Sequence, residues 1–515
     1  MLAKVMSSAV YGIEAHLVEA EVDISSGLPS FNIVGLPDAA CRESADSVRA
    51  AIRNSGLSFP SRKITVNLAP ADIRKEGSSF DLAIALGILV AGGALEQAAV
   101  EKKIFCGELS LDGEIRSVTG ILPRAAGLLS QGGGMDFVVP FSNAREAAAC
   151  GTGLQVYAAK HLSQTVRFLK GDEKIEASSF AVSAFSAKRR RKPSALDFAD
   201  IKGQAHVKRG LEIAAAGGHN VLMIGPPGAG KTMLAKRLPT ILSSITQEEA
   251  IETTKIHSVA GFLSDQAALV DCRPFRDPHH TISNVAMIGG GTYPRPGEVS
   301  LAHHGVLFLD ELAEFRRNVL EVLRQPLEDG KVTISRASSS LTFPARFMLV
   351  AAMNPCPCGY FTDPRKECHC TAVQIKNYMS KVSGPLLDRI DIQLEVPCLK
   401  VEEITEKIKA ESSAKIRGRV EKARDLQRAR FRAENMACNA ELDPEAIERY
   451  CPVAEEGENL LKAAIRELGF SARAYHKSLK LARTIADLES SDAIQASHVA
   501  EAIHFRVLDR SQWFR

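Results

Sequence analysis

One stretch limits what this chain can fold into more than any other, and it spans residues 225–232. Its members are Gly225, Pro226, Pro227, Gly228, Ala229, Gly230, Lys231 and Thr232. The apolar run 221–224 before it predicts a short buried strand, and residues 233–238 after it predict the start of a helix. The stretch therefore matches the pattern G-x-x-x-x-G-K-[S/T] in the strand–loop–helix setting that this pattern requires.

The chemistry of this stretch points to nucleotide phosphates. Its glycines let backbone N–H groups turn toward phosphate oxygens, and the helix N-terminus adds positive potential. Lys231 can reach the β- and γ-phosphates, and Thr232 can ligate Mg²⁺. The alternative is a glycine-rich turn that only joins a strand to a helix. It is disfavoured because the loop, the lysine and the threonine all match, so the sequence predicts an ATP and Mg²⁺ site.

An acidic pair follows a second apolar strand, predicted over residues 306–309. Asp310 and Glu311 end this strand, and ligands bind at the carboxyl ends of parallel strands in open α/β sheets. Asp310 is predicted to hold the Mg²⁺ shell, and Glu311 to polarise the attacking water. The alternative is that the pair only caps the helix that follows.

Two further residues suit a nucleoside triphosphate site. A third buried strand, predicted over residues 348–353, ends in Asn354, whose amide can bond the γ-phosphate or orient the attacking water. Arg389 lies in the segment 383–391 and is a candidate to neutralise the charge of a nucleotide phosphate. It could instead form a surface ion pair with Asp388, which would contribute little.

Four of the 11 cysteines form a cluster between these two segments. They are Cys356, Cys358, Cys368 and Cys370, on two C-x-C arms with a loop between them. Four thiolates in this arrangement can surround one tetrahedral Zn²⁺. Free thiols remain the alternative, and His369 is a spare ligand in a poor position for chelation. An odd, dispersed set of cysteines in a reducing compartment favours thiols or metal over disulfides.

The length and the charge limit the kind of protein further. A chain of 515 residues suggests two to four domains. The net charge of +3 means that any basic nucleic-acid site must be local. No apolar run reaches membrane-spanning length, and residues 1–6 do not begin a signal peptide. A cytoplasmic location without membrane contact is therefore expected.

Composition and patterning predict four regions. Residues 1–170 form a mixed α/β domain without a phosphate loop, and residues 171–196 form a linker. Residues 197–397 form the nucleotide-binding core, and residues 398–515 are mostly helical. The linker contains the basic run 188–192, which is either a solvated charge run or an auxiliary contact to a phosphate backbone.

Three features within these regions are candidates for function. Lys331–Arg336 and Leu341–Phe343 predict the arms of a hairpin, and a long insertion is predicted over residues 256–305. Ser471 predicts the N-cap of a helix that runs to about Leu488. Arg473 then lies in its first turn, where a positive charge opposes the helix dipole. That position favours a functional role over an ordinary exposed arginine.

The first region resembles the Lon-type protease domain. The resemblance rests on residues 107–115, on Thr119-Gly120-Ile121 and on Gly77-Ser78-Ser79. Active members use a Ser–Lys dyad. Ser79 falls at the serine position of that family, but the lysine position is occupied by Arg124. Because arginine stays protonated in proteins, it cannot act as the base, and we expect a non-proteolytic domain.

Over nearly its full length the chain resembles the ComM/YifB group of magnesium-chelatase-like AAA+ ATPases. The motifs that carry this resemblance are residues 225–232, 310–311, 352–359, 387–391 and 471–476. The resemblance implies an α/β multidomain fold. Its parts are a Lon-protease-like α/β N-domain, an AAA+ P-loop αβα core with a parallel sheet, and a helical C-terminal lid.

The resemblance also implies a hexameric ring that translocates on DNA. It implies branch migration, a helicase activity, on single-stranded and branched DNA in natural transformation, with recombination proteins as further partners. In this reading Ile201 and Gly203 lie against the adenine, and Asn354 is the sensor. Arg389 reaches the γ-phosphate of a neighbouring subunit, and Arg473 contacts a γ-phosphate. If the hairpin faces the channel of such a ring, Lys331 and Arg336 are its cations for DNA.

Two other functions remain open at this point. One is the ATPase subunit of a magnesium chelatase, although such subunits generally lack the Lon-like domain and the cysteine cluster. The other is an ATP-dependent Lon-like protease, against which the missing lysine argues.

Overall fold

The computed structural model describes residues 2–506 except 131, 133, 152, 180–195, 264–267, 292–293, 337–338, 362, 400–402, 404–409 and 435. The predicted basic run 188–192 lies outside the described residues. Contacts divide the chain into two compact units. The first contains residues 1–189 and 246–271, and the second contains residues 190–245 and 272–515. The units are therefore not continuous in sequence, because residues 246–271 return to the first unit from within the predicted nucleotide-binding core.

Most strands of the first unit form one mixed sheet. Its strands and those of one small hairpin are β1 (Leu2–Tyr11), β2 (Glu14–Ser25), β3 (Ser30–Val34), β4 (Lys63–Ala69), β5 (Lys103–Phe105), β6 (Glu108–Leu109), β7 (Ile115–Arg116), β8 (Asp136–Pro140), β9 (Val156–Ala159) and β10 (Ala177–Ser178). The eight-stranded sheet has the order β10-β9-β8-β5-β1-β2-β4-β3. The strands β6 and β7 pair as an antiparallel hairpin whose connection contains Asp112-Gly113.

Helices cover this sheet. They are Ala39–Asn54, Asp81–Ala91, Ile121–Ser130, Ala144–Ala148 and Leu162–Lys170. The helix Asp81–Ala91 is buried at every residue, and its sequence is apolar except for Asp81 and Gly87.

The returning segment, residues 246–271, contributes the helix Gln247–Ala260 to the first unit. Ser258 Oγ donates to Glu146 Oε1 at 2.5 Å and accepts the Gly120 N–H at 3.1 Å. A small apolar cluster around Leu122 and Leu269 joins the segment to the same unit. The insertion predicted from residue 256 therefore begins too early, because residues 256–260 complete this helix.

The second unit is built on a five-stranded parallel sheet. The strands of this unit are β11 (Val221–Ile224), β12 (Phe275–Arg276), β13 (Gly289–Gly290), β14 (Arg295–Pro296), β15 (Val306–Leu309), β16 (Lys331–Arg336), β17 (Ser339–Pro344), β18 (Met348–Met353) and β19 (Ile392–Glu395). The sheet order is β12-β15-β18-β11-β19, with β12 at one edge. Two antiparallel hairpins, β13–β14 and β16–β17, lie outside this sheet, and the second confirms the predicted hairpin.

Two apolar layers sandwich the parallel sheet. Val221 and Met223 of β11 belong to one buried cluster, whereas Leu222 and Ile224 belong to another. Strand residues alternate between the faces of a sheet, so both faces are covered, as the near-continuous apolar sequence of these strands predicts. This arrangement confirms the predicted αβα core.

Helices supply the rest of the second unit. Around the sheet they are Ala205–Gly217, Lys231–Arg237, Asn284–Ile288, Glu298–Leu301, Arg317–Glu321, Arg324–Asp329, Ala372–Met379 and Gly384–Leu387. Toward the C-terminus they are Ser413–Arg430, Pro444–Tyr450, Glu455–Leu468, Ala472–Leu488 and Ala496–His504, which confirms the predicted helical C-terminal region. In the described part of the chain, no helix has the length and apolar character needed to cross a bilayer.

Candidate active site

The predicted phosphate loop forms the turn between β11 and the helix Lys231–Arg237. Gly228 and Gly230 have φ angles of +78° and +90°, which strain residues that carry a side chain. A Cβ on Gly225 would lie 2.2 Å from the carbonyl oxygen of Val396. The local fold therefore needs glycine at all three positions, as a backbone that closely surrounds phosphate does.

The Lys231 side chain is buried in this loop and contacts three oxygen atoms. Its Nζ donates to the carbonyl oxygens of Gly225 at 2.6 Å and Pro226 at 3.0 Å. It also donates to Oδ1 of Asn354 at 3.1 Å. Burial lowers the pKa of Lys231, and the charge of Asp310 opposes that effect. Because Asn354 follows β18, which pairs with β11, the strand order brings the predicted lysine and amide together.

Thr232 and Asp310 form a second contact between predicted site residues. Thr232 Oγ1 donates to Oδ2 of Asp310 at 2.6 Å. Asp310 directly follows β15, the neighbour of β18 in the sheet. A hydroxyl and a carboxylate are hard oxygen ligands of the kind that Mg²⁺ prefers. These two oxygen ligands therefore fit the Mg²⁺ ion that the sequence predicts.

Glu311 has an unusual backbone conformation beside this pair. Its φ is +53°, and its N–H donates to Oδ1 of Asp310 at 3.0 Å. Residues other than glycine that are held in this region concentrate at functional sites. The Glu311 side chain is 57% exposed, so water can reach its carboxylate.

His280 is a site residue that the sequence analysis missed. Its Nδ1 lies 3.4 Å from Oε2 of Glu311, and its ring meets Phe315 edge-on. His280 follows β12, the edge strand that pairs with β15. Because β12 contains only Phe275 and Arg276, no strand pattern marks it in the sequence. The adjacent pair His279-His280 was the available signal.

The segment predicted to lie against the adenine connects to the phosphate loop through Gln204. Gln204 Nε2 donates to the carbonyl oxygens of Ala229 at 2.9 Å and Pro397 at 3.0 Å. Ile201 is fully buried, and a Cβ on Gly203 would lie 2.8 Å from a Leu399 methyl carbon. The segment thus lies next to the loop, and its contact with adenine stays a prediction.

Arg389 lies in a different environment. Its guanidinium pairs with Glu328 and donates to the Pro385 carbonyl oxygen. Its side chain is 10% exposed, and its Nε has no hydrogen-bond partner among the described residues. A cavity of about 390 Å³ adjoins it, with Ile288 and Val332 in the lining.

Arg473 pairs with the residue that immediately precedes Arg389 in the chain. The helix Ala472–Leu488 begins after Ser471, whose Oγ accepts the Ala474 N–H at 3.2 Å, as predicted. Arg473 Nη1 then lies 3.0 Å from Oδ2 of Asp388. In the described part of the chain, the polar partners of Arg389 and Arg473 lie outside the phosphate loop. Asn220 Nδ2 donates to the Arg389 carbonyl oxygen at 3.0 Å, so Arg389 lies at the amino end of β11, whereas Lys231 and Thr232 follow the carboxyl end of that strand.

The four clustered cysteines converge on one point, with all four Sγ atoms within 4.8 Å of one another. Cys356 Sγ lies 3.3 Å from Cys358 Sγ and 3.7 Å from Cys368 Sγ, and Cys358 and Cys368 are 3.6 Å apart. Tetrahedral Zn²⁺ with bonds of about 2.3 Å separates its sulfur ligands by about 3.8 Å. The thiols, with Cys370 as the fourth, fit that ion. Of the described residues, His369 is not in this group.

The structure contains the β16–β17 hairpin that is predicted to carry the DNA-binding cations. Lys331 begins β16 and is exposed, and Arg336 ends this strand opposite Ser339. The side chain of Arg336 lies outside what the structure describes. A Cβ on Gly289 would lie 3.0 Å from Cδ1 of Ile334, so the β13–β14 hairpin packs against the β16–β17 hairpin.

Three family profiles match the chain. The profile described as magnesium chelatase, subunit ChlI, matches residues 197–404. The profile described as subunit ChlI of Mg-chelatase matches residues 20–143, and the one described as magnesium chelatase, subunit ChlI C-terminal, matches residues 410–506.

Similar proteins match the chain from end to end. It is 44% identical to competence protein ComM of Haemophilus influenzae over 516 residues, which cover 99% of this chain and 98% of that protein. It is 43% identical to the uncharacterized protein YifB of Escherichia coli over 512 residues, with 99% and 98% covered. The chain belongs to the ComM/YifB family of magnesium-chelatase-like proteins. Membership of the ComM/YifB family, together with the AAA+ core, implies ATP and Mg²⁺ as ligands of the phosphate loop.

A third similarity covers only part of the chain. It is 30% identical to Lon protease 2 of Bacillus subtilis over 148 residues, which cover 27% of this chain and 26% of that protein. In the first unit, Arg124 Nη2 donates to Ser79 Oγ at 3.1 Å, and Nη1 donates to the Ser8 carbonyl oxygen. The serine and the residue at the expected lysine position are therefore in contact. An arginine cannot accept the serine proton, so this contact does not form a Ser–Lys dyad.

Proposed function

We propose that this protein is a homo-hexameric, ATP-driven DNA motor. It would promote branch migration, with helicase activity, when DNA is integrated in natural transformation and recombination. One observation carries the proposal: the predicted ATP-site residues form two separate groups. Lys231 and Thr232 represent one group, and Arg389 and Arg473 represent the other. A site divided in this way is complete only when a second copy of the chain supplies the arginines, as in a ring of identical subunits.

The first group would bind and activate the nucleotide. Lys231 would neutralise phosphate charge, and Asn354 beside it would bond the γ-phosphate or orient the attacking water. Thr232 and Asp310 would hold Mg²⁺, which when bound neutralises charge that develops on the phosphates. Glu311 would accept the proton of the attacking water.

The second group would act on the nucleotide of the neighbouring subunit. Arg389 and Arg473 would stabilise charge on the transferred γ-phosphoryl group, as an arginine supplied in trans does. Their contacts with Glu328 and Asp388 support a shared location, since Asp388 immediately precedes Arg389. Both arginines would therefore serve one nucleotide at the subunit interface.

The proposed motor would move along single-stranded and branched DNA in the cytoplasm. The Haemophilus influenzae relative carries the name competence protein, which supports a role with incoming DNA. The exposed Lys331 on the β16–β17 hairpin supports a contact to the DNA backbone, and Arg336 would be the second cation. A motor must hold the phosphates because the bases vary along its track, so this binding would be independent of sequence.

The cysteine cluster would hold a structural Zn²⁺ ion. Its four thiolates would fill a closed tetrahedral site without an open position for substrate. The ion would fix the loop between the two C-x-C arms, the first of which begins two residues after Asn354 of the nucleotide site.

One assay distinguishes this function from its alternatives. We expect the ATPase rate to rise when single-stranded DNA is added, with no casein hydrolysis under the same conditions. The chelatase profiles favour, as a second candidate, a motor that drives Mg²⁺ insertion into a porphyrin with partner subunits. An ATPase rate that does not change when DNA is added would support that candidate. Casein hydrolysis would support the protease despite the Ser79–Arg124 contact.

A further inference from the structure

The cysteine cluster lies directly beside the phosphate loop. Asn354, which accepts a hydrogen bond from Lys231, is separated from Cys356 by one residue, and Cys356 is fully buried. The strand β18 holds this part of the chain in register with β11, so the first metal-binding arm starts at a fixed point next to the loop.

Gly359 makes the second connection. Its N–H donates to the Cys356 carbonyl oxygen at 3.0 Å, so the first arm closes into a tight turn around Cys358. A Cβ on Gly359 would lie 2.7 Å from both Cδ and Cγ of Pro227 in the phosphate loop. The backbone of the metal-binding turn is therefore packed against the Pro227 ring, with no room for a side chain.

We propose that the four-cysteine site sets the conformation of the phosphate loop, so that Zn²⁺ occupancy and nucleotide binding are thermodynamically coupled. This inference rests on the Zn²⁺ and ATP sites of the proposed function. The physical reason is that the metal holds both arms in one arrangement. Without it, the turn at Gly359 loses its constraint, and Pro227 loses the surface on which it packs.

Coupling between two sites is reciprocal. If Zn²⁺ strengthens nucleotide binding by some factor, nucleotide must strengthen Zn²⁺ binding by the same factor. Couplings of this kind typically amount to about 5- to 150-fold. The Zn²⁺ affinity therefore reports the coupling without any measurement of ATP hydrolysis.

The first experiment measures how Zn²⁺ partitions at equilibrium between the full-length protein and a colorimetric chelator, with and without a non-hydrolysable ATP analogue and Mg²⁺. We expect saturating analogue to tighten Zn²⁺ binding at least about 5-fold. The Lys231→Ala variant is the control, because it should not bind the analogue and its Zn²⁺ affinity should not respond. Protein purified without Zn²⁺ would overturn the metal site of the proposed function together with this inference. A Zn²⁺ affinity that saturating analogue leaves unchanged would overturn the inference alone.

The second experiment tests the Gly359–Pro227 contact. Gly359→Ala forces a Cβ against Pro227 at a backbone φ of +87°. Gly171→Ala is the matched control, since its φ is +85° and a Cβ there would have nothing within 4 Å. Both variants are strained, but only the first disturbs the phosphate loop.

We expect Gly359→Ala to bind a fluorescent ATP analogue at least about 5-fold more weakly than wild type. Gly171→Ala should keep the wild-type affinity. Wild-type affinity in Gly359→Ala would contradict the inference, whether or not the variant keeps its Zn²⁺. Should that variant fail to fold, the Zn²⁺ partition experiment on wild type and Lys231→Ala still tests the inference.

Discussion

Arg473 Nη1 lies 3.0 Å from the carboxylate of Asp388, the residue immediately before Arg389. One turn further along the same helix, Lys477 Nζ lies 3.0 Å from Asp391 Oδ1. The second pair is mostly buried, so solvent screens it less than the exposed first pair. The two ion pairs join the helix Ala472–Leu488 to residues 388–391. Any movement that brings Arg389 to a phosphate would therefore also move Arg473.

The first prediction concerns complementation between subunits. Arg389→Ala should bind ATP with unchanged affinity and lose turnover by about 10³-fold or more, because the missing arginine acts on a neighbour. Lys231→Ala should not bind ATP, yet it still supplies an intact Arg389. We expect mixtures of the two variants to regain part of the activity in a steady-state ATPase assay. Mixed rings without activity at any ratio would contradict action in trans.

The second prediction concerns His280, which contacts the proposed catalytic carboxylate. His280→Ala should lower kcat, by up to about 10²-fold, because Glu311 loses the contact that orients it. Nucleotide affinity should not change, since His280 makes no contact with Lys231 or Thr232 among the described residues. His279→Ala is the neighbouring control, because the His279 ring lies beside that of His280, with centroids 4.1 Å apart, but bonds Thr281 and not Glu311.

ATPase kinetics and a fluorescent nucleotide titration measure the two quantities for both histidine variants. A kcat equal to wild type in His280→Ala would show that the contact with Glu311 has no part in hydrolysis. An equal loss in His279→Ala would assign the effect to the loop as a whole.

The third prediction concerns the metal. Purified protein should contain about one Zn²⁺ per chain, and Cys356→Ser with Cys368→Ser should abolish it. The thermal midpoint should fall, because the loop between the arms loses its crosslink. Cys272→Ser is the control, since Cys272 is exposed and outside the cluster. Metal analysis and differential scanning fluorimetry give the two readouts. A metal-free wild-type protein of normal stability would refute the site.

The fourth prediction is a pH dependence of stability in the first unit. Burial raises the pKa of Asp81 to about 7, against about 3.9 in an unfolded chain. The protonated carboxyl is therefore favoured in the folded state. Its stabilising effect is complete below about pH 4 and declines until the pH passes about 7. At about 1.4 kcal/mol per pKa unit, the full change is on the order of 4 kcal/mol.

Asp81→Asn should remove most of this pH dependence, because an amide stays neutral throughout the range. Thermal midpoints of the variant and wild type should diverge as the pH rises from 4 to 8, with the variant the more stable at pH 8. Asp46→Asn is the matched control, since the Asp46 side chain is 91% exposed. If the thermal midpoints of wild type and Asp81→Asn changed with pH in the same way, Asp81 would not titrate in this range.

The sequence predicted the parts of the site that local motifs encode. Thr232 and Asp310 lie 78 positions apart, but Thr232 follows the loop after β11 and Asp310 directly follows β15. Both strands have a recognisable apolar pattern, so the contact follows from a parallel sheet. His280 could not be found in this way, because a two-residue edge strand has no periodicity. The sequence also could not predict the return of residues 246–271 to the first unit, because that return depends on contacts between residues distant in sequence, such as Ser258 with Glu146. The packing of Gly359 on Pro227 is a backbone approach without a sequence pattern.

The last prediction tests the DNA track. The hairpin β16–β17 presents Lys331 at the start of one arm and Arg336 at its end. If these cations hold the backbone of single-stranded DNA, each neutralised phosphate contributes about −0.7 to the slope of log affinity against log salt. Lys331→Ala with Arg336→Ala should therefore make the slope shallower by about 1.4, the sum of two such contacts. DNA-stimulated ATPase should be lost, while basal ATPase and assembly remain.

The control for the DNA prediction removes the same charge elsewhere. Lys415→Ala with Lys422→Ala deletes two exposed cations from the helix Ser413–Arg430 and should leave the salt slope unchanged. Fluorescence anisotropy at several salt concentrations gives the slope, and gel filtration reports assembly. A hairpin that only packs between subunits would instead lose assembly when its cations are removed. An intact assembly with an unchanged slope would move the search for the DNA contact to the basic run 188–192, because all five of its residues are cationic.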